Sequence, residues 1–260
     1  MPPLANRRPP RYRHTISALL AMPASGPLVL PLQRIFDDLP NVVFFIKDTA
    51  GRYLAVNRTL VERCAQSSRA NLLQKRPSDF YPATLAEHYE RQDLRVLNTG
   101  KPVIDQLELH LYPDRSRGWC LTSKFPVLDR TTGKIGGIMG ISRDVEESSR
   151  KAADRGYPEL AQAMEVLRAR LANPPEMREL AAMCGLSMVR FARLVERVFH
   201  LTPRQLAMKM RIDEALHLLA TTDQPLCDIA LATGFCDQSA FTRHFRRLAG
   251  LPPGEFRREG

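Results

Sequence analysis

No stretch of the 260 residues approaches the roughly 20 consecutive apolar residues that span a bilayer, so no membrane partner is expected. The five cysteines (Cys64, Cys120, Cys184, Cys227, Cys236) are odd in number and widely spaced. They form no CxxC or Cys/His ligand pattern, which argues against structural zinc and a disulfide framework and reads them as small core residues in a reducing cytoplasm. There is no Ser/His/Asp or Cys/His catalytic constellation, phosphate loop, metal-spaced cluster, flavin-attachment motif or kinase signature, so an enzyme is not expected. Arg7-Arg8 before the apolar Ile16–Met22 imitates a twin-arginine export signal, but that run is at the short limit and no secretory disulfides come after it. Charge is not concentrated either. The net +10 divides into +4 for residues 1–30, 18 − 15 = +3 for 31–150 and 16 − 13 = +3 for 151–260, so it does not locate a polyanion-binding domain.

What is present is organisation. Residues 1–30, rich in Pro and Arg, read as a disordered tail. Residues 31–146 read as one α+β domain with five strands at Val42–Lys47, Arg52–Val56, Val103–Tyr112, Trp119–Leu128 and Ile135–Ser142. Turn chemistry at Asp48-Thr49-Ala50-Gly51 and Asp129-Arg130-Thr131-Thr132-Gly133 predicts two hairpins. Asn57 is placed to cap a helix running to about Cys64, and a longer helix from about Ala83 ends at Gly100. The expected result is an antiparallel sheet with helices on one face. Residues 147–173 form a connecting region. Its segment Glu146–Arg155 breaks near Gly156-Tyr157-Pro158, and a helix from Glu159 to Ala172 has Leu160, Ala163, Met164, Leu167 and Leu171 on one face. That face suits either a dimerisation or signalling stalk in a homodimer, or packing on the C-terminal domain.

Residues 174–260 hold an internal duplication. Laid over one another at an offset of 49, Glu179-Leu180-Ala181 matches Asp228-Ile229-Ala230 and Gly185-Leu186 matches Gly234-Phe235. At an offset of 50, Phe191 matches Phe241, Arg193 matches Arg243, Arg197 matches Arg247, and Pro203 matches Pro253. In each copy a short helix ends at a glycine, then Ser187 or Asp237 supplies an oxygen to cap the next helix. Two short helices joined by such a turn make a helix-turn-helix unit, whose second helix enters the DNA major groove. Between the copies a helix over Pro203–Ala220, about 27 Å long, sets the recognition helices about one DNA turn apart, ~34 Å. Arg190, Arg193, Arg197, Arg204, Lys209 and Arg211 succeed one another with one acid, Glu196, among them. Arg243, Arg246, Arg247, Arg257 and Arg258 repeat the arrangement, as phosphate-neutralising runs do, although solvated helix faces do the same.

The chain carries two resemblances. Phe45-Ile46-Lys47-Asp48, Gly51-Arg52-Tyr53, Asn57 and Asn98-Thr99-Gly100-Lys101-Pro102 resemble a PAS sensor domain. The run Arg211-Ile212-Asp213-Glu214-Ala215, the stretch from Asp228-Ile229-Ala230 to Gly234-Phe235, Ser239-Ala240-Phe241-Thr242-Arg243-His244-Phe245 and the ending Gly250-Leu251-Pro252-Pro253-Gly254-Glu255-Phe256-Arg257 resemble the AraC/XylS family of transcription regulators. The first copy departs at His200, where the family has Gly, and at Val195, where it has Phe. This implies that the second unit is the stronger reader.

The resemblance implies a sequence-specific regulator whose PAS-like domain senses an intracellular small-molecule effector and alters binding to double-stranded promoter DNA or contact with RNA polymerase. With Phe241, Phe245 and Leu248 inward, Gln238, Ser239, Thr242, Arg243 and Arg247 face outward. With Phe191, Leu194 and Val198 inward, Val189, Arg190, Arg193 and Arg197 do so. Gln reads adenine, Arg reads guanine or grips phosphate, and Val189 suits a thymine methyl. The PAS ligand is not specified and no cofactor is predicted. His88 stands where some PAS proteins hold haem, but a core or surface histidine is the commoner reading; Trp119, Phe44, Phe45 and Tyr53 either line a cavity or fill it. A non-specific DNA binder and a cofactor-dependent redox or light sensor are the alternatives.

Overall fold

The computed structural model describes residues 29–111, 117–129, 132–145 and 156–259, so residues 1–28 of the expected tail, Tyr112, Arg130-Thr131 and the segment Glu146–Arg155 lie outside the described residues. Two compact units divide the chain: residues 1–106 with 122–143, and residues 107–121 with 144–260. Among the described residues no helix is long and apolar enough to cross a membrane.

All five expected strands form, as β1 (Val42–Asp48), β2 (Tyr53–Val56), β3 (Val103–Leu111), β4 (Arg117–Leu128) and β5 (Ile135–Val145), in one sheet of order β2-β1-β5-β4-β3. In the first turn Asp48 Oδ1 accepts from the backbone N–H of Ala50 and of Arg52, and Gly51 takes a positive φ. Asn57 is the tie between strand and helix. Its Oδ1 accepts from Phe44 N–H at 3.0 Å and caps the helix Arg58–Arg63, while its amide donates to the Phe36 and Val42 carbonyls. The long helix Ala83–Thr99 ends as expected at Gly100.

The sheet does not keep its helices on one face. A helix over Val29–Asp37, which the sequence pattern did not place, sets Phe36 parallel on Phe44 with ring centroids 4.5 Å apart. The opposite side of β1, through Val43 and Phe45, packs with Leu60, Val61 and Val96. Covered on both sides, β1 needs an unbroken apolar run rather than an alternating one, which accounts for Val42-Val43-Phe44-Phe45-Ile46. With these helices numbered in chain order, α1 is Val29–Asp37, α2 Arg58–Arg63 and α3 Ala83–Thr99.

In the second unit come α4 (Pro158–Ala169), α5 (Met177–Met183), α6 (Met188–Phe199), α7 (Pro203–Thr221), α8 (Leu226–Ala232), α9 (Gln238–Ala249) and α10 (Pro253–Glu259). The apolar face of α4, with Leu171 beyond it, is buried in the same core as Leu180, Phe191, Ile229 and Phe241; of the two roles left open for it, the structure displays packing. Trp119 belongs to this core with Leu107, Leu109 and Leu121, and so does not line the interior of the first unit. Two cysteines also depart from the expectation. Cys64 and Cys120 are buried and Cys184 half-buried, but Cys227 and Cys236 are exposed, because one sits on the outer side of the short α8 and the other in the turn before α9.

The two turn glycines differ in what surrounds them. Both take positive φ, +64° at Gly185 and +78° at Gly234. A Cβ at Gly185 would meet nothing within 4 Å, whereas one at Gly234 would fall 2.0 Å from the Leu171 carbonyl oxygen. Gly185→Ala is therefore expected to cost only the left-handed penalty, about 1–2 kcal/mol, and Gly234→Ala distinctly more. Urea unfolding followed by helical circular dichroism measures both, and equal losses would refute the close approach.

Candidate nucleic-acid interface and sensor interior

Each copy builds its second helix in the same way. Ser187 Oγ accepts from Arg190 N–H at 3.5 Å to start α6, and Asp237 Oδ1 accepts from Ala240 N–H at 2.6 Å to start α9. The Ala240 N–H, followed by the Cys236 thiol, holds the Asp237 carboxyl below its ordinary range. Both helices end on a left-handed residue, His200 at φ +58° and Gly250 at +80°, so the first copy makes the same turn without the glycine. Phe241, Phe245 and Leu248 are buried in α9. In α6 Phe191 and Val198 are buried, but Leu194 is only half-buried; Val195 fills the inward position that Phe245 takes in the second copy, with no exposure at all.

The outward residues fall where the periodicity put them, with one difference. Val189 is 62% exposed, and Arg190, Arg193, Arg197, Gln238, Ser239, Arg243 and Arg247 are exposed, while Thr242 is half-buried. Arg247 reaches His244 Nδ1 at 3.1 Å. Burial, then the charges of Arg247 and Arg243, push the His244 imidazole down, so it adds little positive charge near neutral pH. The same imidazole feels Arg204 at the start of α7, a residue of the basic run that the sequence pattern left out of the contact set.

Two other members of that run turn inward. Lys209 is buried, donates to Asp213 Oδ2 at 2.7 Å and lies 5.6 Å from the Trp119 ring centroid. Trp119 Nε1–H donates to the other oxygen, Asp213 Oδ1, at 2.6 Å. Arg211 is half-buried over the Phe235 ring. Lys209 and Arg211 are thus held in packing rather than standing as plain phosphate contacts, whereas Arg204 at the start of α7 stays exposed. In the second basic group Arg257 donates to the Gln224 carbonyl at 2.7 Å and so braces the loop before α8.

Inside the first unit ionised groups meet in the core. Asp93 of α3 accepts from Lys47 Nζ at 2.7 Å and from Lys124 Nζ at 2.6 Å, and all three side chains are almost wholly buried. Burial pushes the Asp93 carboxyl up, but the ammonium groups of Lys124 and Lys47 outweigh it and hold it below its ordinary value. Burial is also the main cause that lowers Lys47, against the pull of Asp93. Lys47 Nζ lies 4.9 Å from the Phe45 ring centroid and 4.8 Å from that of Tyr53. Cys64 Sγ and the Tyr81 hydroxyl are 3.4 Å apart, each kept protonated chiefly by burial. His88 is buried with Nε2, the usual axial-ligand nitrogen, 3.0 Å from Gln92 Nε2.

Comparison with known proteins finds two family models along the chain, and the first of them in chain order crosses the boundary between the compact units. A family model of helix-turn-helix domains matches residues 180–259, and one of the PAS fold matches residues 36–150. A probable transcriptional regulator, LumQ of Photobacterium leiognathi, is 35% identical over 78 residues, covering 30% of this chain and 32% of LumQ. The HTH-type transcriptional regulator GbdR of Pseudomonas aeruginosa is 28% identical over 100 residues, 38% of this chain and 27% of GbdR. The chain thus spans about a third of the length of these curated relatives. A solved AraC-type regulator from Chromobacterium violaceum is 25% identical, with a TM-score of 0.39 over 42% of this chain and 95% of that one.

The buried triad gives a pH prediction. Because the Asp93 carboxyl is lowered on folding, the stability it contributes is complete above the ordinary carboxylate pKa, about 3.9, and is lost as pH falls through the lower folded value. Asp93→Asn is expected to cost about 3–5 kcal/mol at pH 7, as for one partner removed from a buried ion pair, and to flatten the decline of stability below pH 4. A variant whose acid limb matches the parent's would contradict the assignment.

Proposed function

We propose that this chain, which carries an AraC-type helix-turn-helix domain behind a PAS-fold domain, is a sequence-specific DNA-binding transcription regulator. The duplication carries this reading: two helix pairs with the same glycine turn, the same capped second helix and the same exposed arginine pairs, Arg193 with Arg197 and Arg243 with Arg247. Such helices enter the major groove at their N-terminal ends. In this reading Gln238 and Arg243 contact base edges from α9, with Ser239 and Thr242 beside them, and Val189, Arg190 and Arg193 take the corresponding places on α6. Arg197, Arg247 and Arg204 then neutralise phosphates. The linking helix α7, 19 residues and so about 28 Å long, suits two readers spaced by about one DNA turn.

The partners in this reading are promoter DNA, RNA polymerase and a small-molecule effector held by the PAS-fold domain. An effector alters DNA binding only if it prefers one of two states. Strand β4 offers a covalent route for such a preference: it continues into Trp119, whose indole N–H is held by Asp213 of α7.

Arg243→Ala is expected to weaken binding to a preferred site, selected from random duplexes, by about 1–3 kcal/mol, or about 5–150-fold, with a smaller loss on random DNA. Equal losses would make Arg243 a phosphate contact, and selection that yields no preferred site would replace the whole reading by non-specific binding. Trp119 is the chain's single tryptophan, so its emission reports the Asp213 contact. Addition of the selected duplex is expected to shift that emission, and an unchanged spectrum would disconnect the contact from DNA binding.

A further inference from the structure

Glu108 and His110 are two residues apart on β3 and therefore project from the same side of the strand. Cys120 stands beside them on β4, and one ligand atom from each of the three lies within 4.8 Å of the others. Glu108 is 1% exposed and Cys120 not at all, while His110 is half-buried. The intervening Leu109 and the neighbouring Trp119 and Leu121 face the other way, into the helical core. One side of the hairpin thus carries apolar packing, and the other gathers a carboxylate, an imidazole and a thiol at one spot.

We infer that Glu108, His110 and Cys120 form a binding site for a first-row divalent transition-metal ion of the zinc type. The donor set selects the class: thiolate and imidazole suit zinc and its neighbours, whereas calcium and magnesium take oxygen donors alone. Metal–ligand bonds of about 2.0–2.3 Å hold tetrahedral ligand atoms roughly 3.5 Å apart, a distance that side-chain rotation reaches from the observed spacing. Binding converts the Cys120 thiol to thiolate and releases its proton to solvent. The thiolate, the Glu108 carboxylate and a divalent ion then sum to zero charge, which is the balance that burial favours. Three protein ligands leave a fourth position for water or a small ligand, as in open rather than structural sites. The ion would clamp β3 to β4 one residue from Trp119, where the hairpin holds Asp213 of α7. Such an ion site does not depend on DNA binding.

The test is a Co2+ and Zn2+ titration of the full chain, stripped with chelator and kept reduced by a phosphine. The expected result is one equivalent of Co2+ with a thiolate charge-transfer band, displaced by Zn2+, and a melting temperature raised by Zn2+. Cys120→Ser and His110→Ala are each expected to weaken Co2+ binding by at least tenfold and to remove the Zn2+-dependent rise. The double variant Cys227→Ser, Cys236→Ser, which removes both exposed thiols, is expected to bind as the parent does. Since Cys120 lies in the core, circular dichroism confirms the fold of each variant, and half-buried His110 supplies the independent arm if Cys120→Ser unfolds. Absence of the band at saturating Co2+, a band that survives His110→Ala, or a band lost with the two exposed thiols would each overturn the site.

Discussion

The second unit depends on the burial of α7. A helix that served only as a spacer would show one apolar stripe and a polar back, but α7 buries Leu206, Ala207, Met210, Ile212, Ala215 and Leu219 around much of its circumference, and α6 and α8 both rest on it. Each helix-turn-helix unit is too small to enclose a core of its own. By sharing α7 the two copies make one core, and their recognition helices become parts of a single body rather than beads on a linker. Thr202 secures the start of this helix with a capping box, its hydroxyl accepting from Gln205 N–H while Gln205 Oε1 accepts from Thr202 N–H.

The first unit is organised around a polar constraint instead. Three ionised side chains in an apolar interior are costly unless each is paired, and Asp93 meets that demand by using one oxygen for Lys47 and the other for Lys124. The arrangement joins β1, β4 and α3 through directional bonds, which apolar packing alone does not supply. It resembles Asn57 in this respect, where one buried amide serves a strand, a helix cap and the end of α1. Polar groups thus set the register of elements that hydrophobic burial merely brings together.

Much of this was legible in the sequence because the signals were local. Strand ends lay at Asp and Gly turns, helix starts at Asn57, Ser187 and Asp237, and the duplication placed the outward faces of α6 and α9 before any contact was known. What escaped were features made by distant segments. α1 lies at the edge of a Pro- and Arg-rich stretch, and its reason to be helical is the Phe44 face that it covers. Lys209 reads as one more cation in a basic run until Trp119 and Asp213 surround it. Glu108, His110 and Cys120 fit no ligand spacing along the chain, since a hairpin brings together positions that a linear motif search compares only at fixed intervals. Cys227 and Cys236 were misread because thiols are so often buried that exposure has no sequence signature.

The unequal surroundings of Gly185 and Gly234 bear on how such a duplication ages. Two copies of one segment begin under the same rules, but only the second lies with its turn against the carbonyl of Leu171. The first copy has open space at the matching point, and it carries His200 and Val195 where the second has Gly250 and Phe245. A side chain at the turn therefore meets open space in one half of the pseudo-repeat and a backbone carbonyl in the other. Of the two turns, the first is the one whose glycine can be replaced at the cost of the left-handed backbone alone.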